Sequence, residues 1–345
     1  MFVSTMIIGF GVLALVTGQT PSPLVATPMP APAPVQWKGL IGEYGPEEKS
    51  VSIFEKNGQL SLLAPPSAEC ALRPVDKDSY SCDAGQNNFR VKIILDSAGA
   101  ATQLSFKDNM FLRRKEGPEQ GQVFHITPQR PVEELRKQAL ADSPPKEAGP
   151  FRKPELVELT TLDPAIHLDI RYATTNDFLG TPVYTQARAF LQRPAAEALL
   201  RALHKLLPLG YGLLIHDAYR PWYVTKIFWD ATPPEGKIFV ADPSHGSRHN
   251  RGCAADLTLY DLTSGKPIEM PGTYDEMSPR SFPDYPGGTS LQRWHRDLLR
   301  RAMESEGFTV YEHEWWHFDY KDWHEYPILN IKFEDLHSGQ GLAAQ

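Results

Sequence analysis

Two stretches of this chain, Gly246-Ser-Arg-His-Asn-Arg-Gly-Cys-Ala-Ala-Asp256 and Glu314-Trp-Trp-His317, limit what it can fold into more than any other feature. His249 and Asp256 from the first and His317 from the second form a three-donor set of the N and O type, the usual protein share of a catalytic zinc site with one position left open. Any fold that uses them must bring a glycine-bearing loop, the start of one strand and a later strand to a single point. Gly252 fits a place where the backbone turns or passes closely. Glu314 and His317 stand three apart, on opposite faces of a regular strand but neighbours on a helical turn. The segment must therefore bend locally for both to face one centre. Glu314 would then handle a proton, as general base and then general acid. Arg220, in Asp217-Ala-Tyr-Arg-Pro221 at an expected strand-to-helix junction, carries a planar, always-charged fork suited to an oxyanion.

A lone His and Asp seven apart would say little, since such pairs are usually structural or solvated. The information lies in the joint occurrence. His245 and His313 flank the two stretches and are the ligands most easily chosen in error. His167, His216, His295, His324 and His337 have no partner pattern and read as structural or exposed, His204 reads as a surface residue of a helix, and Trp315 and Trp316 read as core or pocket wall. Cys253 has no CxxC companion and reads as a small buried residue.

At 345 residues, with 41% hydrophobic and 22% charged side chains, the chain can bury a sizeable core and exceeds one average domain. The net charge of -7 and the absence of a basic stripe with interleaved aromatics argue against nucleic acid. Residues 1–20 lack Lys, Arg, Asp and Glu, and their apolar run from Met6 to Val16 suits a signal-peptide core better than a membrane span, although no basic side chain precedes it. The expected location is periplasmic or secreted, with no membrane span after cleavage. Residues 21–35 read as a Pro/Ala-rich spacer. Residues 36–116 read as a small antiparallel β domain, with hairpins from Val51–Lys56 and Gln59–Ala64 about Asn57-Gly58 and from Phe89–Leu95 and Ala101–Phe106 about Asp96–Gly99. Cys70 and Cys82 could close a small loop there.

Residues 117–153, rich in Pro and Gly, read as an interdomain connection with one helix from Pro131 to Ala141. Residues 154–335 read as mixed α and β, and 336–345 as a tail. Leu199, Leu200, Leu203, Leu206 and Leu207 share one helical face between Pro194 and Gly210. Strands are expected over Gly212–His216, Ala255–Asp261 and Phe308–Tyr311. A further amphipathic helix carries Leu291, Trp294, Leu298 and Ala302, with Ser290 as its N-cap.

The pattern Ser247-x-His249-x-Arg251-Gly252-x-Ala254-x-Asp256-Leu-Thr-Leu-Tyr260 with Glu314-Trp-Trp-His317 closely resembles the D-alanyl-D-alanine dipeptidases, VanX-like zinc peptidases related to D,D-carboxypeptidases. Asp169-Ile-Arg-Tyr172-Ala-Thr-Thr-Asn-Asp-Phe178, Asp217–Pro221 and Gly272-Thr-Tyr-Asp275 extend the match, which covers about Leu156 to Phe333. The resemblance implies one Zn2+ per chain on His249, Asp256 and His317, catalytic Glu314, and Arg220 as transition-state stabiliser. It further implies that Tyr172 and Asp275 receive the substrate ammonium and Ser247 its carboxylate, in a confined pocket selecting a free dipeptide over a long peptide.

The resulting expectation is an α+β zinc peptidase domain, with a central antiparallel sheet and flanking helices, preceded by the small all-β domain. Its reaction would be hydrolysis of D-Ala-D-Ala to two D-alanines by a zinc-activated water. Two alternatives stand beside it: a D,D- or L,D-carboxypeptidase acting on peptidoglycan stems, and a non-catalytic wall-binding module. The substrate partner is a small dipeptide, with peptidoglycan as a second partner if the β domain holds the enzyme at the wall.

Overall fold

The computed structural model describes residues 27–64, 68–84, 87–114 and 124–336. The signal-peptide reading of residues 1–20 and His337 lie outside them. The first folded unit is an antiparallel meander of eight strands: β1 (Gly42–Tyr44), β2 (Val51–Lys56), β3 (Gln59–Ala64), β4 (Ala68–Pro74), β5 (Ser79–Ala84), β6 (Asn87–Leu95), β7 (Ala101–Phe106) and β8 (Asn109–Leu112). The expected turn between β2 and β3 is present, with Asn57 at φ 53° and Gly58 at φ 75°, the paired left-handed geometry that matches strand twist in tight hairpins. The meander closes on itself. Gly45 N donates to Leu112 O at 2.7 Å and Arg114 N to Glu43 O at 2.8 Å, so the ends of β1 and β8 are bridged through Tyr44 and Arg113. Tyr44, Ile53, Leu62, Val91 and Leu104 fill the interior, and Cys70 and Cys82 are disulfide-bonded between β4 and β5.

The second unit is α+β. After α1 (Val132–Ala141), short strands β9 (Leu156–Glu158), β10 (Ile166–Leu168) and β11 (Phe190–Gln192) precede α2 (Arg193–Leu206), β12 (Tyr211–Asp217), α3 (Trp222–Ala231), β13 (Ala254–Asp261), α4 (Ser290–Glu304), β14 (Phe308–Tyr311) and β15 (Glu314–Tyr320). Its main sheet runs β10-β12-β13-β15-β14, and β9 pairs with β11 apart from it. The expectation of a wholly antiparallel sheet is corrected at one edge, where β10 runs parallel to β12. A three-residue strand carries too little pattern to reveal its direction. Helices α2 and α4 bury Leu199, Leu203, Leu206, Leu298 and Ala302 against the sheet, while α1 packs on α3.

Two local expectations change. The N-cap of α4 is Thr289, not Ser290: its hydroxyl accepts from Gln292 N at 3.1 Å while the Gln292 side chain accepts from Thr289 N at 2.8 Å, a reciprocal capping box. The bend required of Glu314–His317 is a break in pairing, since Val310 faces Phe318 but Tyr311 faces Glu314. The intervening Trp315–His317 is looped out of register, as in a bulge that re-aims side chains.

Sheet register sets up the site. Asp256 pairs directly with His317 across β13 and β15, and with Asp217 across β12 and β13. Asp217, Asp256 and His317 therefore stand in one row across three adjacent strands.

Candidate active site

His249 reaches this row from a single helical turn, His249–Arg251, that ends at Gly252 in the left-handed conformation, φ 66°. A Cβ at Gly252 would lie 2.6 Å from the Leu156 side chain, so the close approach expected there is real. The result is a buried triad: His249 Nε2 lies 3.0 Å from His317 Nδ1 and 3.4 Å from Asp256 Oδ1, and His317 Nδ1 lies 3.0 Å from Asp256 Oδ1.

The remaining ring nitrogens are already committed. His249 Nδ1 is 2.6 Å from the Ala218 carbonyl oxygen and His317 Nε2 is 2.9 Å from Asp319 Oδ1. If each neutral ring donates outward, three lone pairs face one another, and Asp256 Oδ1 is a buried atom without a hydrogen-bond donor. Such a centre calls for positive charge. The spacing of 3.0–3.4 Å between donors is close to the roughly 3.3 Å between vertices of a tetrahedron around a metal with about 2.0 Å bonds. The donor set therefore fits a divalent cation of the zinc type.

Charge in the surroundings points the same way. Burial opposes ionisation of Asp256, yet the His249 and His317 imidazoles hold its carboxyl far below the usual range. Burial likewise opposes a charge on His317, but Asp319 and Asp256 overcome it and raise its pKa well above the ordinary value.

A family model described as D-ala-D-ala dipeptidase matches residues 152–337. The chain belongs to this family. The D-alanyl-D-alanine dipeptidase of Escherichia coli is 35% identical over 179 residues, covering 52% of this chain and 91% of that protein. Those of Enterococcus faecalis and Enterococcus faecium are also 35% identical, over 95% and 98% of their lengths and about half of this chain. The closed β unit lies before the matched residues, so it is an addition to the peptidase domain that these relatives share.

All eight residues singled out in the sequence line one cavity of this dipeptidase-family domain: Tyr172, Arg220, Ser247, His249, Asp256, Asp275, Glu314 and His317. Its empty volume is about 760 Å³ including the open mouth, a size for a small molecule. Glu314 Oε2 stands 3.7 Å from His317 Nδ1, and burial, reinforced by Asp256 and opposed by His317, pushes its carboxyl up to about 8.

Arg220 donates from Nε and Nη2 to Asp217 Oδ2 at 2.9 and 2.8 Å, with Nη2 3.9 Å from Asp256 Oδ2. Tyr184 donates its hydroxyl to Asp217 Oδ1 at 2.6 Å. Burial works against the guanidinium charge, and Asp217 more than compensates, so Arg220 stays ionised over the Phe228 and Tyr172 rings.

Tyr172 donates to Asp275 Oδ1 at 2.8 Å. Asp275 sits at φ 62°, its Oδ2 is buried without a hydrogen-bond partner, and burial, with Asp256 nearby, pushes its pKa well above the ordinary carboxyl value. Ser247 Oγ accepts from His249 N at 3.2 Å, so this hydroxyl also holds the metal loop.

His245 is exposed beside Asp242, and His313 contacts the Tyr311 hydroxyl rather than the triad. Cys253 is buried, as its place in the motif suggested. Sequence reasoning missed Asp217, Tyr184, Tyr274 and Asp319. Tyr274, next to Asp275, donates to Asp256 Oδ2 at 3.3 Å and stacks on His216 at 4.3 Å. Asp319, two residues after His317, was the most accessible of the four, because alternate residues of a strand share a face.

Proposed function

We propose that the chain hydrolyses D-alanyl-D-alanine to two D-alanines with zinc held by His249, Asp256 and His317. The observation that carries this is the meeting of three bare donors and the Glu314 carboxyl in one cavity, with a buried carboxylate oxygen that has no hydrogen-bond partner, Asp275 Oδ2, in its wall. Zinc in this place supplies Lewis acidity towards the scissile carbonyl and eases deprotonation of water.

Glu314 then takes a proton from the attacking water as its oxygen adds to the carbonyl carbon. It delivers that proton to the amine nitrogen as the C–N bond breaks, so the second D-alanine leaves neutral at nitrogen. Arg220, pre-aimed by Asp217 and Tyr184, stabilises the negative charge that develops on the carbonyl oxygen. Asp275 and Tyr172 receive the substrate ammonium, and Ser247 contacts its carboxylate. A buried carboxyl in need of a cation favours a free amino end over an acylated one, which places the dipeptide ahead of a peptidoglycan stem.

The site of action proposed is the periplasm or the exterior, supported by the apolar first twenty residues and by the Cys70–Cys82 bond, which persists in oxidising compartments. No helix among the described residues is long and apolar enough to cross a membrane.

Turnover of free D-Ala-D-Ala measured beside an N-acylated tripeptide ending in D-Ala-D-Ala decides between dipeptidase and carboxypeptidase. Preference for the dipeptide is expected. Cleavage of the tripeptide with none of the dipeptide would overturn the assignment, and cleavage of neither would favour a non-catalytic module.

A further inference from the structure

The closed β unit presses two buried carboxylates into the catalytic unit at one place. Glu55, 1% exposed, accepts from Ser290 N at 2.6 Å and from the Ser290 hydroxyl at 3.1 Å, at the first turn of α4. Its own backbone N donates to Gly288 O at 3.0 Å, and its carbonyl accepts from Arg293 Nη2 at 2.7 Å. Glu43, also buried, accepts from the Tyr285 hydroxyl and, within its own unit, from Ser52 Oγ at 2.8 Å. A carboxylate at a helix N-terminus is favourable by charge and by hydrogen bonding, so Glu55 makes a fixed joint.

What this joint grips is the base of the loop from Pro271 to Gly288. The two ends of that loop touch, since a Cβ on Gly288 would lie 3.5 Å from Pro271 Cα. Arg293 Nη1 closes the same end, donating to Pro286 O, Gly287 O and Gly288 O at 2.9–3.3 Å. The same loop carries Asp275, Glu276 and Met277 into the active-site cavity. Asp275 sits there in the left-handed backbone region at φ 62°, uncommon for a non-glycine residue although aspartate adopts it more readily than most.

We propose that the β unit is an intramolecular brace for the substrate-binding loop, with Glu55 and Glu43 as positioning residues that keep Asp275 where the substrate ammonium binds. The inference rests on the ammonium role given to Asp275 above. It gives the β unit a partner, the catalytic domain of its own chain, in place of a wall polymer.

The test compares full-length zinc enzyme with its Glu55→Ala, Glu55→Gln, Glu43→Gln and Asp275→Asn variants, by steady-state kinetics on D-Ala-D-Ala, zinc content and amide hydrogen exchange. Glu55→Ala is expected to raise KM about tenfold with kcat within about twofold, leave zinc bound, and speed exchange across residues 272–284. Glu55→Gln keeps an acceptor for Ser290 N and should restore most of the loss. Glu43→Gln, the milder change, should move the same quantities the same way if Glu55→Ala fails to fold. Unchanged KM and exchange in the folded Glu55 or Glu43 variants, while Asp275→Asn raises KM, would overturn the brace alone. An unchanged KM in Asp275→Asn would instead remove the ammonium reading beneath it, with the exchange data still reporting whether the loop is braced.

Discussion

His249 Nε2 and His317 Nδ1 face each other at 3.0 Å while the opposite nitrogen of each ring is held, by the Ala218 carbonyl and the Asp319 carboxylate. Two rings fixed in this way have only lone pairs to offer the space between them, and Asp256 Oδ1 adds a third. Removing the cation should therefore cost both activity and stability. Dialysis against a chelator is expected to abolish hydrolysis and lower Tm, with both recovered on adding zinc, because a ligand that binds only the folded state stabilises it. His249→Ala should hold zinc more than about 100-fold more weakly, beyond the effect of outer-shell changes. Stoichiometric zinc in that variant would refute the ligand assignment.

Glu314 touches the triad through His317 at 3.7 Å but is not one of the three converging donors. Its loss should separate chemistry from metal binding. Glu314→Gln is expected to lower kcat by about 10²- to 10⁴-fold, the usual share of a positioned acid-base group, while metal analysis still finds one zinc per chain. Full activity in this variant would remove Glu314 from the mechanism.

Arg220 is aimed by both of its bonds to Asp217 Oδ2, and Asp217 is itself fixed by Tyr184. Lysine cannot reproduce that fork. Arg220→Lys is expected to reduce kcat about 10²- to 10³-fold with a smaller change in KM, the signature of an interaction made chiefly in the transition state. Tyr184→Phe should reduce kcat in the same direction but by less, since Asp217 keeps its bond from Ala218 N. A change confined to KM would move Arg220 to substrate binding.

Much of this site was legible because its chemistry is carried by residue types that have few other reasons to occur together. His249, Asp256, Glu314 and His317 could be named from spacing, and even the bend between Glu314 and His317 followed from strand geometry. Asp217 and Tyr184 could not be assigned their role, because their bond joins residues 33 apart and nothing local marks the pair. The same reason hid the closure of the β unit: hairpins such as Asn57-Gly58 announce themselves, while the pairing of Tyr44 with Arg113 has no local signal. Thr289 lost to Ser290 as the expected cap because two adjacent hydroxyl residues offer the same chemistry. Only the reciprocal Gln292 bond distinguishes them.

Asp319→Asn tests how far the metal depends on what stands behind its ligands. Asp319 Oδ1 accepts from His317 Nε2 at 2.9 Å, with Arg248 Nε 3.5 Å from its Oδ2. An amide can still accept one hydrogen bond but carries no charge, so His317 becomes a poorer donor. Zinc affinity measured by chelator competition should fall about 10- to 100-fold with the fold intact. An unchanged affinity would show that strand register alone orients His317.

Asp177 offers a stability test remote from the catalytic chemistry. It is fully buried, its Oδ1 accepts from Leu179 N at 2.8 Å and Thr181 N at 3.3 Å, and its Oδ2 is without a partner. Burial raises its pKa from 3.8 to about 6, against the lowering effect of those backbone donors and of His125. The folded state therefore holds the proton more tightly than the unfolded state, and stability falls as pH rises from 3.8 through about 6. Above that window the loss is complete, at about 3 kcal/mol for a displacement of this size. Asp177→Asn keeps the Oδ1 acceptor and removes the charge, so denaturant unfolding should find the variant more stable than wild type at pH 7.5 and nearly equal to it at pH 3.5. Equal stability at both pH values would mean that Asp177 ionises in the folded protein without penalty.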